Sequence, residues 1–185
     1  MTKAQLTVLA GPTAVGKGTV VAALTKRFPT LNVSISATTR APRPGELNGV
    51  HYYFVSTQEF DAMIERGDML EWALVHGKNK YGTPRGPVDD ALAAGKPVLL
   101  EIDLAGARQV RTTRPDAQFI FLAPPSWDEL ERRLIGRGTE SPEEQARRLA
   151  TARVELDAAS EFDHVVINDD VERAVDELAR LIGLE

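Results

Sequence analysis

Leu6-Thr7-Val8-Leu9-Ala10-Gly11-Pro12-Thr13-Ala14-Val15-Gly16-Lys17-Gly18-Thr19-Val20-Val21 is the stretch whose reading decides the fold. Leu6 to Ala10 is a short apolar run that reads as a buried strand ending at a glycine. From Lys17 to Phe28 the apolar residues Val20, Val21, Leu24 and Phe28 share one face of a helix. Between strand and helix, Gly11 to Lys17 fits G-x-x-x-x-G-K, and that setting is what makes the match informative. Glycines let the backbone wrap a phosphate chain with its N–H groups turned inward. The helix N-terminus adds a favourable dipole, and Lys17 supplies a full positive charge. Gly11, Pro12, Thr13, Ala14, Val15, Gly16, Lys17, Gly18 and Thr19 are therefore expected to hold the phosphates of a nucleotide.

Outward from this loop the chain alternates short apolar runs with amphipathic helices. Val98 to Asp103, Gln118 to Leu122 and His164 to Ile167 read as further strands, each followed by a helix signal. That alternation argues for an α/β fold, a three-layer P-loop core around a mainly parallel sheet. Ser56-x-x-Glu59, Ser126-x-x-Glu129 and Ser141-Pro142-Glu143-Glu144 are capping-box starts, with each Ser and Glu expected to bond reciprocally. Val171 to Ile182 carries an apolar stripe through Ala174, Val175, Leu178 and Leu181. Two regions interrupt the pattern and read as insertions, a polar and aromatic one over 36–85 and an Arg-rich helical one over 127–156. The core is then 1–35, 86–126 and 157–185, all within one domain.

The chain has 185 residues and is 43% hydrophobic, enough for one substantial core. Its net charge of −5 argues against non-specific nucleic-acid or anionic-membrane binding, while leaving room for a local phosphate-binding cluster. With no cysteine, disulfides, thiolate metal sites and Cys nucleophiles are excluded. The apolar stretch at Leu6 is too short for a membrane span and lacks a signal-cleavage pattern, so a soluble cytoplasmic protein is expected.

A second constellation lies between Ser36 and Asp103. Arg40 and Arg43 could clamp a monophosphate, since guanidinium forks match phosphate geometry, or could be a solvated surface pair. Tyr52 and Tyr81 could add phenolic donors. Glu71 stands in the mostly apolar run Met69-Leu70-Glu71-Trp72-Ala73. Asp103 is read as closing its strand on the same face as Glu101, at the strand end where open α/β sheets bind ligands. A buried carboxylate accepts from both N1–H and the N2 amino group of guanine. Adenine offers neither donor and would leave the carboxylate unpaired. Ser36 and Thr83 could donate to guanine O6 and N7, and Asp103 could equally act on Mg²⁺ through water.

Arg132, Arg133 and Arg137 on one helix, and Arg147, Arg148 and Arg153 on the next, fit either a salt-bridged surface or a lid that closes over ATP. No catalytic base is needed, because a phosphate oxygen is an already ionised nucleophile. His51, His76 and His164 have no triad-like companions and read as structural or surface residues. Gly18 stands where a Ser or Thr commonly helps hold Mg²⁺, and Thr19 points about 100° further round the helix. Mg²⁺ is therefore expected to be held largely by ATP phosphates and water, with no assigned protein ligand.

The sequence resembles the guanylate kinase family over nearly its whole length. The resemblance is carried by Gly11 to Lys17, Ser34 to Glu46, Asn48-Gly49 with Tyr52-Tyr53-Phe54-Val55, Glu71-Trp72-Ala73 and Tyr81-Gly82-Thr83. It continues through Ile102-Asp103 with Gly106, Arg133-Leu134 with Gly136 to Glu140, Arg148-Leu149 and Val166-Ile167-Asn168-Asp169. It implies ATP and GMP as substrates, a GMP-binding subdomain over 36–85 and a lid over 127–156. It also implies GMP contacts from Ser36, Arg40, Arg43, Tyr52, Glu71, Tyr81, Thr83 and Asp103, action of Arg133, Arg137 and Arg148 on ATP phosphates beside Lys17, and Asn168 near the adenine. Ala14 and Gly18 depart from the family's usual Gly and Ser. Two alternatives stand beside this expectation: a kinase for AMP or dTMP, and a guanylate-kinase-like binding module without catalysis.

Overall fold

The computed structural model describes residues 4–136 and 138–184. Strand β1 (Leu6–Ala10) enters the glycine loop and helix α1 (Lys17–Arg27) leaves it, followed by β2 (Asn32–Val33), β3 (Ala37–Thr38) and β4 (Tyr53–Phe54). Next come α2 (Thr57–Glu65), β5 (Met69–Val75), β6 (Asn79–Pro84), α3 (Arg85–Ala93), β7 (Val98–Glu101) and α4 (Leu104–Thr113). The chain ends with β8 (Gln118–Ala123), α5 (Trp127–Ile135), α6 (Pro142–Asp157), β9 (His164–Ile167) and α7 (Val171–Ile182).

The larger sheet is wholly parallel, in the order β2-β7-β1-β8-β9. Its central strand β1 is buried at every residue, as a strand covered on both faces must be. Alternate side chains feed two cores. Leu9 joins Val20, Leu24, Val175 and Leu178 beneath α1 and α7, whereas Leu6 and Val8 join Val88, Ala107 and Val110 beneath α3 and α4. The result is the expected three-layer α/β core.

Inserted between β2 and α3 is a smaller mixed sheet, ordered β4-β3-β6-β5, with β3 parallel to β4 and antiparallel to β6. Phe60 of α2 is fully buried against it, with Ala37, Met69 and Trp72. Strands of two residues carry no readable periodicity, so the sequence shows this region only as polar and turn-rich. The α5–α6 pair has its own small cluster of Leu130, Leu134 and Ala152, and Arg153 lies 3.6 Å over the Trp127 ring. Among the described residues no helix is long and apolar enough to cross a membrane.

Three expectations are corrected. Phe28 caps α1 rather than continuing it. Each of Ser56, Ser126 and Ser141 accepts from the N–H three residues on, but the reciprocal bond forms only at Glu144. Glu59 instead pairs with Arg66, and Glu129 with Arg132 and Arg133, because a guanidinium in reach is the stronger partner for a carboxylate. Finally, β7 stops at Glu101. Asp103 is the N-cap of α4, and its Oδ1 accepts from the Gly106 N–H at 2.7 Å.

Candidate active site

The phosphate loop is braced from below. A Cβ at Gly11 would lie 2.5 Å from the Leu122 carbonyl oxygen, so only glycine passes between β1 and β8 there. Gly16 adopts φ 91° as the N-cap of α1. The Val15 carbonyl accepts from Asn168 Nδ2 at 2.8 Å and from Arg133 Nη1 at 3.3 Å. Asn168, which the resemblance puts near the adenine, is buried with this amide group committed to the loop.

At the loop's crest, Val15 N–H donates to the Pro12 carbonyl at 3.2 Å, closing a turn that puts Ala14 at φ 68°. An L-residue with a Cβ is strained in that left-handed region. Ala14 is exposed, so its side chain gives little packing in return. Ala14→Gly is therefore expected to stabilise the protein by about 1 kcal/mol, raising Tm by roughly 2–4 °C. A Tm unchanged or lowered in differential scanning calorimetry would contradict this account of the turn.

Lys17 Nζ donates to the Ile102 carbonyl at 3.0 Å, which ties the loop to the end of β7. Burial pushes the Lys17 ammonium below its ordinary pKa, while the fields of Glu101, Asp103 and Glu155 pull it back toward the charged form. Glu155 is a neighbour the sequence did not single out. It reaches from α6 to accept from the Thr13 N–H at 3.2 Å, and burial raises its pKa against the opposing effects of Thr13 and Lys17. Several acids on α6 look alike in sequence, and only the packing of α6 over the loop selects this one. Thr19 is exposed on α1. Gly18 offers no hydroxyl, and a Cβ there would sit 3.8 Å from Glu101 Oε1.

The residues expected at the acceptor fall into two groups. In the first, Arg40 donates to Tyr81 Oη at 3.2 Å, and its guanidinium stands 5.3 Å from the Tyr52 ring centroid. Both Arg40 amino groups meet Glu46 at 3.0 Å in a bidentate pair, and Glu46 also accepts from the Arg43 N–H at 2.7 Å. These bonds hold the Glu46 carboxyl down at about 2 and push Arg40 up. The second group surrounds Glu71, which accepts from the Thr83 hydroxyl at 2.7 Å and is buried. Burial pushes the Glu71 carboxyl above its ordinary range, Asp103 pushes it the same way, and Thr83 opposes both. Gly106 separates the two carboxylates: a Cβ there would be 3.1 Å from each of Glu71 Oε2 and Asp103 Oδ1. Ser36 leads into β3, its carbonyl accepting from the Tyr53 N–H at 2.9 Å. Among the described residues its hydroxyl makes no hydrogen bond to Glu71 or Thr83.

Arg148 pairs with Glu140 at 2.7 Å, and Arg133 with Glu129 at 3.2 Å. Arg137 lies outside the described residues. A cleft of about 650 Å³ opens between the loop and α6, lined by Thr13, His76, Glu140 and Arg148. A neighbouring one of about 250 Å³ is lined by Ala14, Arg133, Thr139 and Arg148. His76, read as a surface residue, thus reaches the larger cleft from the β5–β6 turn. Arg40, Arg133 and Arg148 all rest on carboxylates of the chain itself. The Arg133 and Arg148 pairs are partly exposed and contribute little, whereas the bidentate Arg40–Glu46 pair is mostly shielded from solvent and is held more firmly.

The family model described as guanylate kinase matches residues 3–185. The chain is 60% identical over 180 residues to a guanylate kinase of Nocardia farcinica, covering 97% of this chain and 93% of that one. It is 59% identical to a guanylate kinase of Streptomyces coelicolor, with 97% and 91% covered. The crystal structure of guanylate kinase from Anaplasma phagocytophilum superposes with a TM-score of 0.72 at 32% identity, covering 97% of this chain and 85% of that one. A shikimate kinase from Bacteroides thetaiotaomicron, 15% identical with a TM-score of 0.50, shares the fold alone; 97% of this chain and 98% of that chain are covered. Since the match spans both sheets and the helices between them, the chain belongs to the guanylate kinase family.

Proposed function

We propose that this chain transfers the γ-phosphoryl group of ATP to GMP, reversibly, giving ADP and GDP in cytoplasmic purine nucleotide metabolism. The observation that carries the choice of acceptor is Glu71: a buried carboxylate, bonded to Thr83, on the side of the smaller sheet that faces the start of α4. A base seated there donates its N1–H and N2 amino group to Glu71, with Ser36 and Thr83 at O6 and N7. Arg40, Arg43, Tyr52 and Tyr81 then take the acceptor phosphate, which displaces Glu46 from Arg40.

On the donor side the loop N–H groups from Thr13 to Thr19 and the Lys17 ammonium bind the ATP phosphates. Arg133, Arg137 and Arg148 stabilise charge on the transferring group, with Asn168 keeping the loop in shape. Residues 36–85 act as a GMP-binding subdomain and residues 127–156 as the lid, and the two close on the core to exclude water. A GMP phosphate oxygen is the nucleophile and requires no base. A bound Mg²⁺, held through ATP phosphates and its own waters, would supply charge neutralisation at the transferring group. Among the described residues no group of three or more His, Asp or Glu is placed to hold a metal. Glu101 and Asp103 are the carboxylates on the Lys17 side that can accept from those waters.

A coupled ADP-release assay across GMP, AMP and dTMP tests this reading. Turnover with GMP is expected to exceed that with AMP or dTMP by at least about 10³-fold in kcat/KM. Equal or faster use of AMP would rule it out.

A further inference from the structure

β5 is an edge strand of the smaller sheet, so the outward N–H and C=O groups of alternate residues have no strand to pair with. Helix α4 of the core supplies the partners. Gln109 Oε1 accepts from the Trp72 N–H at 3.0 Å, and Gln109 Nε2 donates to the Trp72 carbonyl at 2.9 Å. One side chain thus makes both hydrogen bonds that a neighbouring strand residue would make. Thr113 Oγ1 donates to the Leu70 carbonyl at 2.8 Å. Trp72 and Leu70 flank Glu71, so the backbone that carries the carboxylate is anchored on both sides.

Gly106, Gln109 and Thr113 follow the i, i+3, i+7 spacing and lie on one stripe of α4. Gly106 faces the Glu71 carboxylate itself, and a Cβ there would press on Glu71 Oε2 at 3.1 Å. The same helix begins at Asp103, next to the Ile102 carbonyl that receives Lys17. A continuous path therefore runs from the phosphate loop through Ile102 and α4 to Glu71 on the edge strand of the inserted sheet.

We propose that Gln109, with Thr113, is a positioning residue for base recognition, holding Glu71 at a set distance from the phosphate loop. This rests on the reading of Glu71 as the acceptor for guanine. A carboxylate that drifts by about 1 Å loses its paired bonds to N1–H and the N2 amino group, with losses that can reach ~10²-fold. The second of those bonds exists only for a base with an N2 amino group. Loosening the anchor therefore penalises GMP more than IMP, which lacks that group.

The test compares kcat/KM for GMP and IMP in wild type, Gln109→Ala, Thr113→Val and Glu71→Gln, with the KM for ATP measured alongside. Gln109→Ala is expected to lower the GMP-to-IMP ratio on the order of tenfold, and Thr113→Val by a smaller factor, both with an ATP KM near wild type. If Gln109→Ala does not fold, Thr113→Val decides, since it keeps shape and removes the Leu70 bond along with longer contacts to carbonyls of its own helix. General damage to the fold would lower both substrates together and leave the ratio alone. An unchanged ratio in the anchor variants, with a collapsed ratio in Glu71→Gln, overturns the role of Gln109 only. An unchanged ratio in Glu71→Gln as well overturns the reading of Glu71 and this proposal with it.

Discussion

Lys17→Ala is expected to lower kcat on the order of 10³-fold, equivalent to about 4 kcal/mol of transition-state stabilisation. The ammonium is the one full charge within the loop motif, and it starts from a defined place, 3.0 Å from the Ile102 carbonyl. Its replacement removes that bond and leaves Glu101, Asp103 and Glu155 facing the loop without the cation they surround. Those carboxylates then repel the phosphate chain, so the KM for ATP rises as well. Folding is expected to persist, because α1 is held by Val20, Val21 and Leu24 rather than by Lys17. A steady-state assay with a circular-dichroism melt separates the two effects. A folded variant with kcat within about tenfold of wild type would refute the role given to Lys17.

Glu71→Gln is expected to lower kcat/KM for GMP on the order of 10³-fold while making the protein more stable near pH 8. The loss follows from the amide's single acceptor and two donors. One amide N–H now opposes a guanine donor, costing a charged hydrogen bond and leaving a buried donor unmet, together about 4 kcal/mol. The gain follows from linkage. Burial and Asp103 hold the Glu71 carboxyl above its ordinary pKa, so the folded state keeps this proton more tightly than the unfolded chain does. Stability is then fully retained below the unfolded pKa and falls as pH rises through the folded pKa. Glutamine carries no charge to desolvate, and its Oε1 can still accept from the Thr83 hydroxyl. The variant should melt higher than wild type at pH 8, and that difference should vanish toward pH 4. A Tm below wild type at pH 8 would mean that the buried carboxylate is not a stability cost.

Legibility in sequence tracked the range of the interaction. The bounds of β1, β9 and α7 match the reading because each depends on a local pattern, a bounded apolar run or a stripe at helical spacing. Strands β3 and β4 of the smaller sheet escaped because they are two residues long and are held by partners far away in the chain. The period-2 reading carries the strand to Asp103 because alternation along a strand cannot reveal an N-cap. An Asp followed by Gly106 at the cap spacing was the signal available. Glu155 and Gln109 left no signal at all, since their partners are backbone groups of Thr13 and Trp72.

The local chemistry was determined by the sequence alone: a glycine loop that bends around phosphate, a lysine at a helix start, and apolar periods that demand an α/β core. These are properties of neighbouring residues, and backbone sterics with helix geometry suffice to read them. The tertiary structure alone decided where the charges meet. It set Lys17 against Ile102, put Gly106 between Glu71 and Asp103, and rested Arg40, Arg133 and Arg148 on the chain's own carboxylates. The physical reason is that electrostatics and desolvation depend on distance in space and on burial, and neither is encoded in spacing along the chain.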